Sequence, residues 1–178
     1  MVNRKSFVVL IIALCALILG VFAFRGADNK TGNKPEQAQA EEGGAAPDFT
    51  VTVNNGSTFT LSDYKDKVVL VNFWATWCPP CVGELPAFEQ LKKDNIDGFV
   101  FIAINCSEPK STVDDFIKRN GYTFNVAYDE NGDVQRLYPT DGIPYTLIIK
   151  NGVIEQTFLG APRDAYSEYK KAVEECMK

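Results

Sequence analysis

The run Val69-Leu70-Val71-Asn72-Phe73-Trp74-Ala75 is apolar apart from Asn72, and Thr76-Trp77-Cys78-Pro79-Pro80-Cys81 follows it directly. A run of that character fits a strand buried on both faces of a sheet. Two prolines fit a first helical turn, where a missing N–H would have had no intrahelical partner. The chain must therefore pass from a central strand into a helix with both cysteines at the junction, which points to an α/β fold. The helix start directs unpaired N–H groups and the positive end of its dipole at Cys78, which favours the thiolate. The C-x-x-C spacing lets the two sulfurs close a small disulfide and reopen it with little backbone motion. Pro79 and Pro80 also remove donors near Cys78, so the dipeptide itself should tune the redox potential. The arrangement implies thiol–disulfide exchange.

Two plainer readings of the pair stand beside that one. A C-x-x-C pair can be half of a zinc site, but such sites bring a second close pair or a Cys/His pair. Here Cys15, Cys106 and Cys176 are scattered and the chain holds no histidine. A static staple is the other reading, although staples more often join segments distant in sequence.

The N-terminus is a separate matter. Arg4 and Lys5 precede an uncharged, apolar run over residues 7–24, long enough to cross a bilayer. Positive residues before the span favour an exported C-terminal domain and a single-pass membrane anchor. The competing reading is a cleaved signal peptide, with Val21-Phe22-Ala23 as its cleavage motif. Residues 25–46 are rich in Gly, Asn, Gln, Lys, Glu and Ala, and read as a flexible linker whose ends lie about 25 Å apart. Residues 47–178 are then expected to form one domain. From residue 46 on, 13 Lys and Arg face 19 Asp and Glu, and no basic stripe supports nucleic-acid binding.

Within the domain, Phe49–Val53 and Thr58–Leu61 flank Asn55-Gly56, a strong hairpin signal. Leu85, Phe88 and Leu91 recur at helical spacing after Cys81. Phe99–Ile104 reads as a second buried strand. Ser111 or Thr112 should cap a helix that ends at Gly121. A strand near residues 123–127, a short helix near 134–138, a hairpin about Asn151-Gly152 and a last helix from Arg163 complete the path. In that last helix Ala165, Tyr169, Ala172, Val173 and Cys176 share one stripe.

The segment Phe73-Trp74-Ala75-Thr76-Trp77-Cys78-Pro79-Pro80-Cys81 resembles the active-site segment of the thioredoxin superfamily. Glu84-Leu85-Pro86, Gly142-Ile143-Pro144 and a mid-domain helical stretch make the chain similar to the membrane-anchored, extracytoplasmic TlpA/ResA type. The resemblance covers about residues 46–178 and implies a thioredoxin-like α/β sandwich with an N-terminal β-hairpin and a mid-domain helical insertion. It also implies a thiol–disulfide oxidoreductase that reduces protein disulfides without a cofactor or bound metal. Its clients would include the cysteines of apocytochrome c, and a membrane electron-donor protein would restore the dithiol.

Cys78 is the expected nucleophile and the more exposed sulfur, and Cys81 is the resolving thiol. Many thioredoxins carry a buried acid six residues before the first cysteine, where this chain has Asn72. Glu84, one turn beyond Cys81, takes that place in the ResA type. Glu84 is therefore expected to be partly buried, to have a raised pKa and to exchange the proton of Cys81. Pro144 is expected to follow a cis bond and face the disulfide, with Ile143 offering its backbone to a client. Trp77, Pro79 and Pro80 would form an apolar lip. Cys106 ends the second buried strand near the site, as a third thiol or as a core residue, and Cys176 has no assigned role.

Two rivals share the fold. A thiol peroxidase would need a lone peroxidatic cysteine with its own motif. A copper metallochaperone would use a wider cysteine spacing and a distal histidine.

Overall fold

The computed structural model describes residues 41–178, so the apolar run 7–24 and most of the expected linker lie outside the described residues. Among the described residues no helix is long and apolar enough to cross a membrane. Ten elements follow in order: β1 (Thr50–Thr52), β2 (Thr58–Thr60), β3 (Val68–Trp74), α1 (Pro79–Lys93), β4 (Phe99–Cys106), α2 (Lys110–Asn120), β5 (Val126–Asp129), β6 (Tyr145–Lys150), β7 (Val153–Leu159) and α3 (Ala165–Cys176). The main sheet has the order β5-β4-β3-β6-β7. Strands β3, β4 and β5 are parallel, whereas β6 and β7 run antiparallel to their neighbours. With β3 at the centre, its carboxyl end delivers the cysteines to the middle of one sheet edge.

Strand periodicity divides the core in two. Val68, Leu70 and Trp74 of β3 join Leu85, Phe88 and Leu91 of α1, Val113 and Ile117 of α2, and Tyr169 and Val173 of α3. Val69, Val71 and Phe73 face the other way, against Phe49, Phe59, Leu61 and Tyr138. All three helices thus pack on one face, and the N-terminal hairpin covers the other. The fold is the expected thioredoxin-like sandwich, with α2 as the mid-domain insertion.

Several boundaries differ from the sequence reading, each for a visible reason. Helix α2 begins at Lys110 with Pro109 in the cap position and no side-chain cap bond from Ser111 or Thr112. Its first N–H, on Lys110, instead donates to Glu130 Oε1 at 2.7 Å. Gly121 does end the helix in the left-handed conformation, with φ of 69°. Strand β5 starts at Val126 rather than near residue 123, because the N–H and hydroxyl of Thr123 are drawn to Glu89 on α1 at 2.8 and 2.9 Å. The expected helix near 134–138 is one 3-10 turn, Gln135–Leu137. Helix α3 starts at Ala165 and is capped by Asp164, which accepts from the Ser167 N–H at 3.2 Å.

The last residues of the expected linker are not free. Gly43 N–H donates to the Ile154 carbonyl, Ile154 N–H to Gly44 and Ala46 N–H to Gly152, all at 2.8–2.9 Å. Glu42 adds an acceptor for Thr157 N–H at 2.8 Å. At the opposite edge Val53 bridges Ala127, and Asn54 N–H donates to the Val126 carbonyl at 2.9 Å. One N-terminal segment therefore shields both outer strands from pairing with another chain.

Phe88 is the packing centre of the helical face. It is fully buried and stacks on Phe101 at 4.5 Å and on Tyr169 at 5.0 Å. Phe88→Ala is expected to destabilise the oxidised protein by about 3–5 kcal/mol in urea unfolding. A change below about 1 kcal/mol would show that α1 is not held by this cluster.

Candidate active site

Strand β3 ends at Trp74, and Ala75-Thr76-Trp77 turns the chain into α1. Cys78 N–H donates to the Ala75 carbonyl at 3.2 Å, closing that turn. Cys78 is the N-cap of α1, and Pro79 and Pro80 occupy the next two positions. Both prolines lack an N–H, so Cys81 is the first residue that can supply one. Its N–H reaches Cys78 Sγ at 3.3 Å. The helix therefore presents one directed donor to the sulfur rather than a fan of three.

Cys78 and Cys81 form a disulfide with an S–S distance of 2.05 Å and a Cα–Cα distance of 5.3 Å. Cys78 is 4% exposed and Cys81 fully buried, so the expected order of access holds, although neither sulfur stands free of its surroundings. The exposure lies around them: Trp77 is 68% exposed, and Pro79 and Pro80 are also at the surface. Trp74, by contrast, is wholly buried and packs against Phe116.

The Ile143–Pro144 peptide bond is cis. Its loop reaches the disulfide, with the Ile143 carbonyl oxygen 3.7 Å from Cys78 Sγ. The Pro144 carbonyl accepts from Gly160 N–H at 2.8 Å, so the end of β7 holds the loop in place.

Beneath the cysteines lies Glu84, only 1% exposed. Asn72 Nδ2 donates to its Oε1 at 2.7 Å, and the Tyr169 hydroxyl donates to its Oε2 at 2.7 Å. Asn72 also donates to Thr146 Oγ1 at 2.9 Å, which brings β6 into the network. Burial raises the Glu84 pKa from 4.5 to about 7, and the bonds from Tyr169 and Asn72 offset only part of that rise. Tyr169 is pushed above its ordinary value by burial and by the facing Glu84. An open groove lined by Pro80, Gly83, Ala87, Pro162 and Tyr166 borders Glu84 and leads to solvent.

Cys106 ends β4 on the opposite face, in the cluster with Val71 and Phe73, away from the disulfide. Burial, with the charges of Asp129 and Glu108, pushes its thiol up to about 12. A thiol so protonated at neutral pH is a poor nucleophile, and Cys106 behaves as a core residue. Cys176 is half-buried on the α3 stripe, and burial raises its pKa too. Among the described residues no cluster of three or more His, Cys, Asp or Glu is placed to hold a metal.

The sequence reading passed over Glu108. Its buried carboxylate accepts from the Thr76 N–H at 2.7 Å, from the Thr76 hydroxyl at 2.5 Å and from Asn105 Nδ2 at 2.8 Å. An acidic residue just after a parallel strand adjacent to the cysteine strand was the available signal.

The redoxin family model matches residues 41–173. ResA, a thiol–disulfide oxidoreductase of Geobacillus kaustophilus, is 36% identical over 150 residues, covering 82% of this chain and 84% of that protein. ResA of Bacillus subtilis is 33% identical over 153 residues, covering 83% and 80%. Among solved structures, StoA from Bacillus subtilis superposes with a TM-score of 0.64 at 27% identity, covering 75% of this chain and 98% of that one. A thiol:disulfide interchange protein from Chlorobium tepidum gives 0.67 at 28%, covering 78% and 99%. With a C-x-x-C disulfide at the mouth of α1 and these relatives, the chain belongs to the redoxin family and is a thiol–disulfide oxidoreductase.

Proposed function

We propose that this oxidoreductase works as a reductant of protein disulfides outside the cytoplasm, tethered to the membrane by residues 7–24. Its clients are disulfide-bearing proteins, including apocytochrome c before haem attachment, and a membrane electron-donor protein restores its dithiol. The topology rests on the apolar run after Arg4 and Lys5. The need for a membrane donor follows from the absence of a cytoplasmic thiol pool outside the cell.

The observation that carries the mechanism is the buried Glu84 carboxyl, one turn beyond Cys81, with a pKa of about 7. The Cys78 thiolate attacks one sulfur of the client disulfide, and the other client sulfur leaves as a thiolate. The resulting mixed disulfide joins Cys78 to the client. Cys81, shielded by its own helix, loses its proton to Glu84 and attacks Cys78 Sγ. The second client thiolate then departs, Cys78–Cys81 is oxidised, and two electrons have passed to the client. A carboxyl titrating near neutrality suits this exchange, because both its acid and its base forms are present. Trp77, Pro79 and Pro80 form the apolar lip, and Ile143 and Pro144 receive an extended client segment by short backbone pairing.

Equilibrated with dithiothreitol or glutathione buffers, the full chain should show a two-electron couple near that of thioredoxin, about −270 mV. A value close to about −120 mV, that of DsbA, would make the protein an oxidant and overturn the direction. Cys81→Ser should trap a mixed disulfide with a client, and Cys78→Ser should form none.

Glu84→Gln should slow resolution of the mixed disulfide on the order of 100-fold and remove the inflection near pH 7 from its pH profile. Unchanged kinetics across pH would exclude Glu84 from proton transfer. The same variant reads the burial independently. The pKa of Glu84 is higher in the folded than in the unfolded protein, so the stability it contributes is present below pH 4.5 and lost as pH rises through about 7. Between pH 4.5 and 8 the oxidised wild type should therefore lose about 3 kcal/mol relative to Glu84→Gln.

A further inference from the structure

The turn that carries Cys78 is fixed by a carboxylate from outside β3 and α1. Glu108 lies between β4 and α2 and is 7% exposed. Its Oε2 accepts from the Thr76 N–H at 2.7 Å and from Asn105 Nδ2 at 2.8 Å, and its Oε1 accepts from the Thr76 hydroxyl at 2.5 Å. The local backbone is shaped to deliver it. Ser107 holds φ at 57°, a left-handed conformation that non-glycine residues seldom adopt. Pro109 follows, which steers residue 108 away from helical geometry and delays α2 until Glu108 is placed. Backbone conformations of that kind persist where the surroundings over-determine them.

Three neutral donors hold the Glu108 carboxylate, and no salt bridge among the described residues includes it. Thr76 stands two residues before Cys78, a span of at most about 7 Å of chain. The carboxylate thus lies on the order of 10 Å from Cys78, where burial limits screening. At an effective dielectric constant of about 20, a unit charge at that distance changes an ionisation equilibrium roughly tenfold.

We propose that Glu108 is a positioning residue of the exchange site: it clamps the Ala75–Trp77 turn beneath Cys78, and its charge holds back the Cys78 thiolate. It opposes the α1 N-terminus, which favours that thiolate, and the balance between the two sets the reactivity of the sulfur. The inference rests on Cys78 as the attacking sulfur and is independent of the direction of electron flow.

Two substitutions separate charge from clamp. In Glu108→Gln the amide oxygen can accept from Thr76 N–H and Asn105, while its NH2 donates to the Thr76 hydroxyl, so the geometry survives without the charge. Glu108→Ala removes both. In the reduced full-length protein, iodoacetamide labelling of each cysteine is followed against pH by peptide mass. For Glu108→Gln the midpoint of the Cys78 profile should fall by about one pH unit with an unchanged melting temperature. For Glu108→Ala, attack on a model disulfide should slow about tenfold even at a pH where Cys78 is fully ionised. An unmoved midpoint in Glu108→Gln would remove the charge effect, and a wild-type rate in Glu108→Ala would remove the clamp. Labelling of Cys81 before Cys78 in the wild type would instead refute the assignment of the attacking sulfur, whatever the Glu108 variants do.

Discussion

The fold takes one carboxyl group out of water a single helical turn from the Cys78–Cys81 disulfide. Glu84 on α1 is held by Asn72 on β3 and Tyr169 on α3, and Asn72 is tied in turn to Thr146 on β6. Four elements thus converge on a single acid one helical turn beyond Cys81. An ionised carboxyl there loses its hydration and regains only two donated bonds, so the neutral form gains ground and the pKa rises. Both Glu84 oxygens take a donor, while Asn72 Oδ1 is buried without a hydrogen-bond partner.

The surroundings of the two cysteines differ in kind. Cys78 sits at the helix mouth, with one N–H donor from Cys81, the Ile143 carbonyl oxygen 3.7 Å from its sulfur, and a preceding turn whose Thr76 N–H donates to Glu108. Cys81 is fully buried, one helical turn before the acid. In the proposed cycle, attack by Cys78 and resolution by Cys81 therefore meet different surroundings. Trp77 and the two prolines are the exposed residues around the disulfide.

Much of this was legible in the sequence because it is local. An apolar run ending in Cys-Pro-Pro-Cys fixes the strand, the helix and the cysteine order. Asn55-Gly56, Gly121 and Asn151-Gly152 announce their turns through positive φ, which the structure bears out at Gly56, Gly121, Asn151 and Gly152. The misses have a common cause. Lys110 N–H goes to Glu130, Thr123 N–H to Glu89, Thr157 N–H to Glu42 and Thr76 N–H to Glu108. In each case a carboxylate at least 20 residues away takes a backbone donor, shifting an element boundary or anchoring a loop. No window of local sequence contains both partners. For Cys106 the strand's end near the site left two readings open, and the alternation of β4, which turns its side chain to the other face, decides for the core residue.

The central claim is that Glu84 carries a proton near neutral pH, and infrared difference spectroscopy reads that proton directly. In the oxidised full-length protein, the carboxylic C=O band absent from Glu84→Gln should disappear with a midpoint near pH 7. A midpoint near 4.5, the ordinary value of a solvated glutamate, would contradict the account and leave Cys81 without its internal proton partner.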